Sequence, residues 1–145
     1  MRAARADNVA AGAGLGVAAT LAAALLVSAA GQVGQVYALQ ASLVHAVFAA
    51  AVLWAAWDER PARFGFANAI TSVRATLMAL VAGLLGRAGV PEWWVWCAVG
   101  ATGVAAALDG LDGWVARRLK TTSAFGARFD METDAALIAV LSGLA

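Results

Sequence analysis

Four aspartates stand close together in a chain otherwise short of charge. Asp109 and Asp112 open the run Asp-Gly-Leu-Asp-Gly-Trp-Val-Ala-Arg that ends at Arg117, and Asp130 and Asp134 lie in a second run that starts at Gly126. Carboxylate oxygens are hard ligands suited to Mg²⁺ or Mn²⁺, and Mg²⁺ commonly completes its shell with phosphate oxygens of a substrate. Read as helix, Asp109, Asp112, Gly113 and Ala116 follow one another at steps of three or four residues, as do Gly126, Asp130 and Asp134, so each set lines one face. Two such faces brought together make one acidic pocket. Both runs sit between strongly apolar stretches. On insertion scales an aspartate near mid-bilayer costs roughly 2.5 to 3.5 kcal/mol, so four unpaired ones cost on the order of 10 kcal/mol, less at the interface. Bound cations would remove most of that cost.

The carboxylates alone leave the chemistry open between metal-assisted catalysis, a structural cation and transported ions. Their neighbours add to the picture. Arg117, one turn after Gly113, offers a fork of donors suited to phosphate oxygens. Gly113, Ala116 and Gly126 are small, which admits a flat pyrimidine or a phosphate between helices, and equally suits close helix packing. Asn68 and Thr71 read as an N-cap and a first-turn hydroxyl of one helix. Arg74, three residues further along that face, reaches either the site or lipid phosphates. Glu132 is about 200° round the helix from Asp130 and falls outside the cluster. Arg118, Lys120 and Arg128 give the site a basic rim, as expected of any inner membrane loop.

The elements that carry these residues are membrane helices. Hydrophobic residues make up 63% of the 145 and charged ones 13%, with a mean hydropathy of +0.78, well beyond a soluble domain. Apolar stretches cover roughly residues 9–30, 37–57, 67–86, 92–108 and 124–145, each near the length of a span. The expected fold is therefore all-α, a polytopic transmembrane bundle of about five spans. With the N-terminus inside, the inner segments hold nine of the ten basic residues and the outer ones only Arg87, so the N-terminus and the acidic pocket face the cytoplasm. Trp93, Trp94 and Trp96 mark the outer boundary, and Trp54, Trp57 and Trp114 the inner one. A net charge of +1 argues against a nucleic-acid partner. The apolar part of residues 1–30 is too long for a typical signal-peptide core and a second span follows at once, which argues against cleavage.

The polar loop of residues 57–65 holds one of the two prolines and divides the chain into two N-terminal helices with their linker (1–65) and a part that carries the motif (66–145). In the first part, Gly12 and Gly16 form a helix-packing GxxxG, and a phosphate loop is excluded by the missing strand and lysine. His45, alone in an apolar helix, reads as a packed neutral imidazole, and the single Cys97 allows no intramolecular disulfide.

The spacing D-x2-D-G-x2-A-R-x8-G-x3-D-x3-D resembles the signature of the CDP-alcohol phosphotransferase (CDP-alcohol phosphatidyltransferase) family, and Asn68, Thr71 and Arg74 resemble the N-x2-T-x2-R segment of that family's first core helix. The resemblance covers roughly residues 66–145. It implies an integral membrane enzyme that passes a phosphoalcohol group from a CDP-alcohol to an acceptor hydroxyl and releases CMP. CDP-diacylglycerol is the expected donor, phospholipid biosynthesis the setting, and the bacterial inner membrane the location. It further implies two ions of Mg²⁺ or Mn²⁺ held by Asp109, Asp112, Asp130 and Asp134, with Asp134 as the base. Substrate contacts would come from Gly113, Ala116, Arg117, Ser123, Gly126, Asn68 and Thr71. A homodimer is expected. The family core has six membrane helices, of which the sequence supplies the first three, and the eleven residues after Asp134 end without an anchor, so a larger bundle is expected to have been truncated. The alternative is a non-catalytic membrane protein that binds or transports divalent cations through the aspartates.

Overall fold

The computed structural model describes residues 2–30, 33–55, 66–87, 89–118 and 124–144. They form five helices: α1 (Arg2–Ala29), α2 (Gly34–Ala55), α3 (Phe66–Ala82), α4 (Glu92–Arg118) and α5 (Ala124–Leu144). The protein is all-helical, as its composition requires. Every backbone polar group in a bilayer must be satisfied within the chain, and a helix does this locally. The linker at 57–65, with Trp57, lies outside the described residues.

Among the described residues, three segments are long and apolar enough to cross a membrane: Ala10–Ala29, Gly34–Trp54 and Glu92–Leu111. The other two helices fall outside this set for physical reasons. α3 has 17 residues, about 25 Å at 1.5 Å per residue, short of a hydrocarbon core of about 30 Å. α5 carries Arg128, Asp130, Glu132 and Asp134 in its first half. α4 runs ten residues past the apolar stretch that ends at 108, so that Asp109 to Arg117 continue the helix, as their spacing implies.

α3 is the hub of the bundle and packs against α1, α2, α4 and α5. Its C-terminal half meets α2 and α4 in apolar clusters. Ala24, Tyr37, Ala38, Ala41 and Trp94 form one of them, with Leu80 and Leu84 against it. Met78, Val81, Ala82 and Val140 form another. Arg87 closes this end. Its Nε donates to the Gly83 carbonyl and its Nη1 to the Val33 carbonyl, each at 2.8 Å, so one cation satisfies a carbonyl left over at the end of α3 and ties down the α1–α2 turn.

At the α1–α2 seam, Thr20 Oγ1 donates to the Gly16 carbonyl at 3.1 Å and lies 2.5 Å from His45 Nδ1. His45 is the packed, buried residue expected. Cys97, by contrast, is exposed on the surface of α4 and does not pack inside the bundle. Trp94 is buried against Tyr37, with ring centroids 6.4 Å apart, while Trp93 and Trp96 stay exposed.

Candidate metal and substrate site

The opposite end of the bundle from Arg87 is polar, because three helices bring charged residues there. The N-terminal half of α3 contributes Asn68, Thr71 and Arg74, the C-terminal part of α4 contributes Asp109, and the first half of α5 contributes Asp130 and Asp134. Asn68, Thr71 and Arg74 are all buried, at 6%, 3% and 1% exposure. α3 begins at Phe66, which moves Asn68 from the expected cap into the first turn, where its side chain faces the bundle.

One oxygen from each of Asp109, Asp130 and Asp134 lies within 4.8 Å of the other two. Oxygens on a single Mg²⁺ lie at most about 4.2 Å apart, twice a bond of about 2.1 Å. The cluster is thus only slightly wider than one ion demands, and it has the hard, anionic oxygens that Mg²⁺ or Mn²⁺ prefers. The donor set fits a divalent cation. Each aspartate side chain keeps roughly 36 to 47% of its surface exposed, so the carboxylates look out of the bundle toward whatever approaches.

At the centre of this cluster is Arg74. Its Nη2 lies 2.8 Å from Asp109 Oδ1, its Nη1 pairs with Asp130 Oδ1 and its Nη2 also with Asp134 Oδ1. A guanidinium buried to 1% exposure without counter-charges would cost several kcal/mol. The same pairing offsets the cost of the carboxylates. Arg74 is the residue that sequence reasoning left undecided. A signal was present: an arginine on one face with Asn68 and Thr71, in a short apolar helix, needs a partner carboxylate more than a lipid phosphate.

Gly126 lies in the first turn of α5, one turn before Asp130 and on its face. Glu132 is exposed, away from the cluster, as its position round the helix requires. The backbones of Asp112, Gly113, Ala116 and Arg117 belong to α4, while their side chains lie outside the described residues. Ser123 lies outside them altogether.

A membrane bundle that gathers carboxylates at one end belongs with proteins suited to divalent cations or, through them, to phosphate-bearing molecules. The chain belongs to the CDP-alcohol phosphatidyltransferase family, whose model matches residues 64–144. No curated protein and no solved structure matches it. Membership makes the protein a transferase of the kind that moves a phosphoalcohol group from a CDP-alcohol to an alcohol acceptor. The apolar helices and the family together make it an integral membrane protein. The family uses a divalent metal, in keeping with the aspartate cluster.

Proposed function

We propose that the protein transfers a phosphatidyl group from CDP-diacylglycerol to an acceptor hydroxyl, with release of CMP, as a step of phospholipid synthesis. The observation that carries this reading is the convergence of Asp109, Asp130 and Asp134 from two helices onto one point. A lipid donor suits a site at the end of apolar helices, because its acyl chains stay in the bilayer while its diphosphate reaches the carboxylates.

Asp109, Asp112, Asp130 and Asp134 are the residues that would hold two ions of Mg²⁺ or Mn²⁺. Such ions, when bound, neutralise a diphosphate and stabilise the leaving oxygen of an in-line displacement. Arg117 and Ser123 bind the diphosphate, Asn68 and Thr71 the cytidine part, and Gly113, Ala116 and Gly126 leave room for both. Asp134 takes the proton of the acceptor hydroxyl. The acceptor oxygen then bonds to the phosphorus that carries the diacylglycerol, the bond from that phosphorus to the bridging oxygen breaks, and CMP departs with the electron pair. The excess of basic residues at this end supports a cytoplasmic site, and a homodimer is the assembly that membership of the family supports.

The test is CMP release from CDP-diacylglycerol by membranes that hold the full chain, with a mixed pool of acceptor alcohols and with or without Mg²⁺. Release is expected to require Mg²⁺ and to fall about 10² to 10⁴-fold in Asp134→Asn, the usual weight of a general base. Equal release from Asp134→Asn removes that residue as the base. If folded protein releases no CMP from any CDP-alcohol, the aspartates serve cation binding or transport.

A further inference from the structure

We infer that Arg74 is a built-in counter-ion that competes with the divalent cation for the aspartates, and so raises the cation concentration at which the site loads. The inference rests on the metal-dependent reading above and concerns a positioning residue, one that acts through the carboxylates.

The geometry argues for competition. The guanidinium is paired with Oδ1 of Asp109, of Asp130 and of Asp134, and these are the three residues whose oxygens approach one another within 4.8 Å. A cation that ligates the cluster draws on the same carboxylates as Arg74. The two cannot both make full use of them, and as like charges a few ångströms apart they repel.

Burial argues that the competitor stays in place. At 1% exposure, and on the helix that packs against all four others, the guanidinium is enclosed where a rim arginine would swing into water. Charge balance points the same way. Arg74 sets one positive charge among the three negative charges of Asp109, Asp130 and Asp134, so a cation that loads the cluster meets less net negative charge than the aspartates alone would offer. Arg74 also draws α4 and α5 to α3 by attraction, which offsets the mutual repulsion of the carboxylates. Competition for the carboxylates and cohesion of the three helices come from one residue.

A merely structural arginine and a competing one predict opposite signs. If Arg74 only shapes the site, its removal disorders the carboxylates and weakens metal binding. If it competes, its removal strengthens binding, and the protein leans on the metal for stability. The experiment is Mn²⁺ binding, followed by the electron paramagnetic resonance of free Mn²⁺, to the full chain in lipid nanodiscs without donor or acceptor. Thermal unfolding is recorded with and without Mn²⁺. Arg74→Gln is expected to bind Mn²⁺ about tenfold tighter or more, on the Coulomb term alone, and to gain more thermal stability from Mn²⁺ than the wild type does. Equal or weaker binding by folded Arg74→Gln overturns the inference.

Should that variant fail to fold, Arg74→Lys carries the test. An ammonium lacks the fork that spans three carboxylates, so affinity about threefold above wild type is expected, and unchanged affinity overturns the idea. The readout needs no turnover. Unchanged affinity beside intact, Mg²⁺-dependent CMP release sinks only the competition, whereas tighter binding with no CMP release from any CDP-alcohol sinks only the transferase reading.

Discussion

Tyr37 shows how a single side chain fixes the helix that carries Arg74. Its hydroxyl donates to the Leu80 carbonyl at 2.9 Å, and its ring lies where a side chain on Gly83 would stand: a Cβ there would be 2.7 Å from Cε2 and 2.9 Å from Cδ2. The ring is held at both ends and cannot step aside cheaply. Gly83→Ala is therefore expected to destabilise the protein by about 1 to 3 kcal/mol, the usual cost of overpacking. In a Tyr37→Leu background the same change should cost at least about 0.5 kcal/mol less, because residues in contact couple by that much or more. Thermal unfolding of the four proteins in detergent gives the comparison, and an equal cost in both backgrounds sinks the ring as the cause. At this scale the sequence was legible where spacing decides. Asp130 and Asp134 stand one helical turn apart on α5, and one oxygen of each does lie within 4.8 Å of an oxygen of Asp109. It was illegible where burial decides. An arginine that snorkels and one that pairs inward occupy the same sequence pattern, and only the packing of α3 against four helices separates them. Trp93, Trp94 and Trp96 look like one aromatic belt, yet neighbours on a helix point about 100° apart, and Trp94 turns inward onto Tyr37.

Gly12, Gly16, Thr20 and Ala24 recur every four residues along α1, and all four are buried, so the expected GxxxG is the start of a longer seam of small residues. His45 from α2 presses into it: a Cβ on Gly16 would be 3.2 Å from Nε2 and 3.3 Å from Cε1, whereas one on Gly14 meets nothing within 4 Å. Gly16→Leu should force α1 from α2 and cost about 1 to 3 kcal/mol. Gly14→Leu, two residues away on the outer face, should stay within about 0.5 kcal/mol of wild type. Because both changes alter helix propensity alike, the difference between them in thermal unfolding isolates the packing. Similar costs for the two would mean that the seam does not hold the pair together. Helix number and order could be read from hydropathy, since five apolar stretches became five helices. Helix ends could not. Where the apolar run stops at Leu108, α4 continues to Arg118: the helical spacing of Asp109 to Ala116 carries that signal, and Asp109 pairs with Arg74 of α3, which a hydropathy window does not weigh.

Across the whole molecule, the two ends of the bundle differ in kind, and the difference predicts how it lies in the membrane. One end carries the aspartates with Arg74, and also Arg118 and Arg128. The other is closed, among the described residues, by Arg87, which is engaged with the carbonyls of Gly83 and Val33 and sits over the Tyr37 ring. A basic end stays on the cytoplasmic side during insertion, so the expected orientation puts Arg118 inside and Glu92, at the start of α4, outside. Both side chains are exposed in the structure, so a cysteine at either place is open to a thiol reagent. In a Cys97→Ser background, Glu92→Cys should react with a membrane-impermeant maleimide in intact cells. Arg118→Cys should react only after the membrane is opened, and should then label as fully as Glu92→Cys. The reverse pattern would turn the aspartate cluster away from the cytoplasm, where the nucleotide-linked donor is expected to be drawn from, and would undo the proposed reaction more directly than any single substitution in the site. Equal labelling of both positions in intact cells would mean that α4 does not cross the bilayer, against the apolar length of Glu92–Leu111.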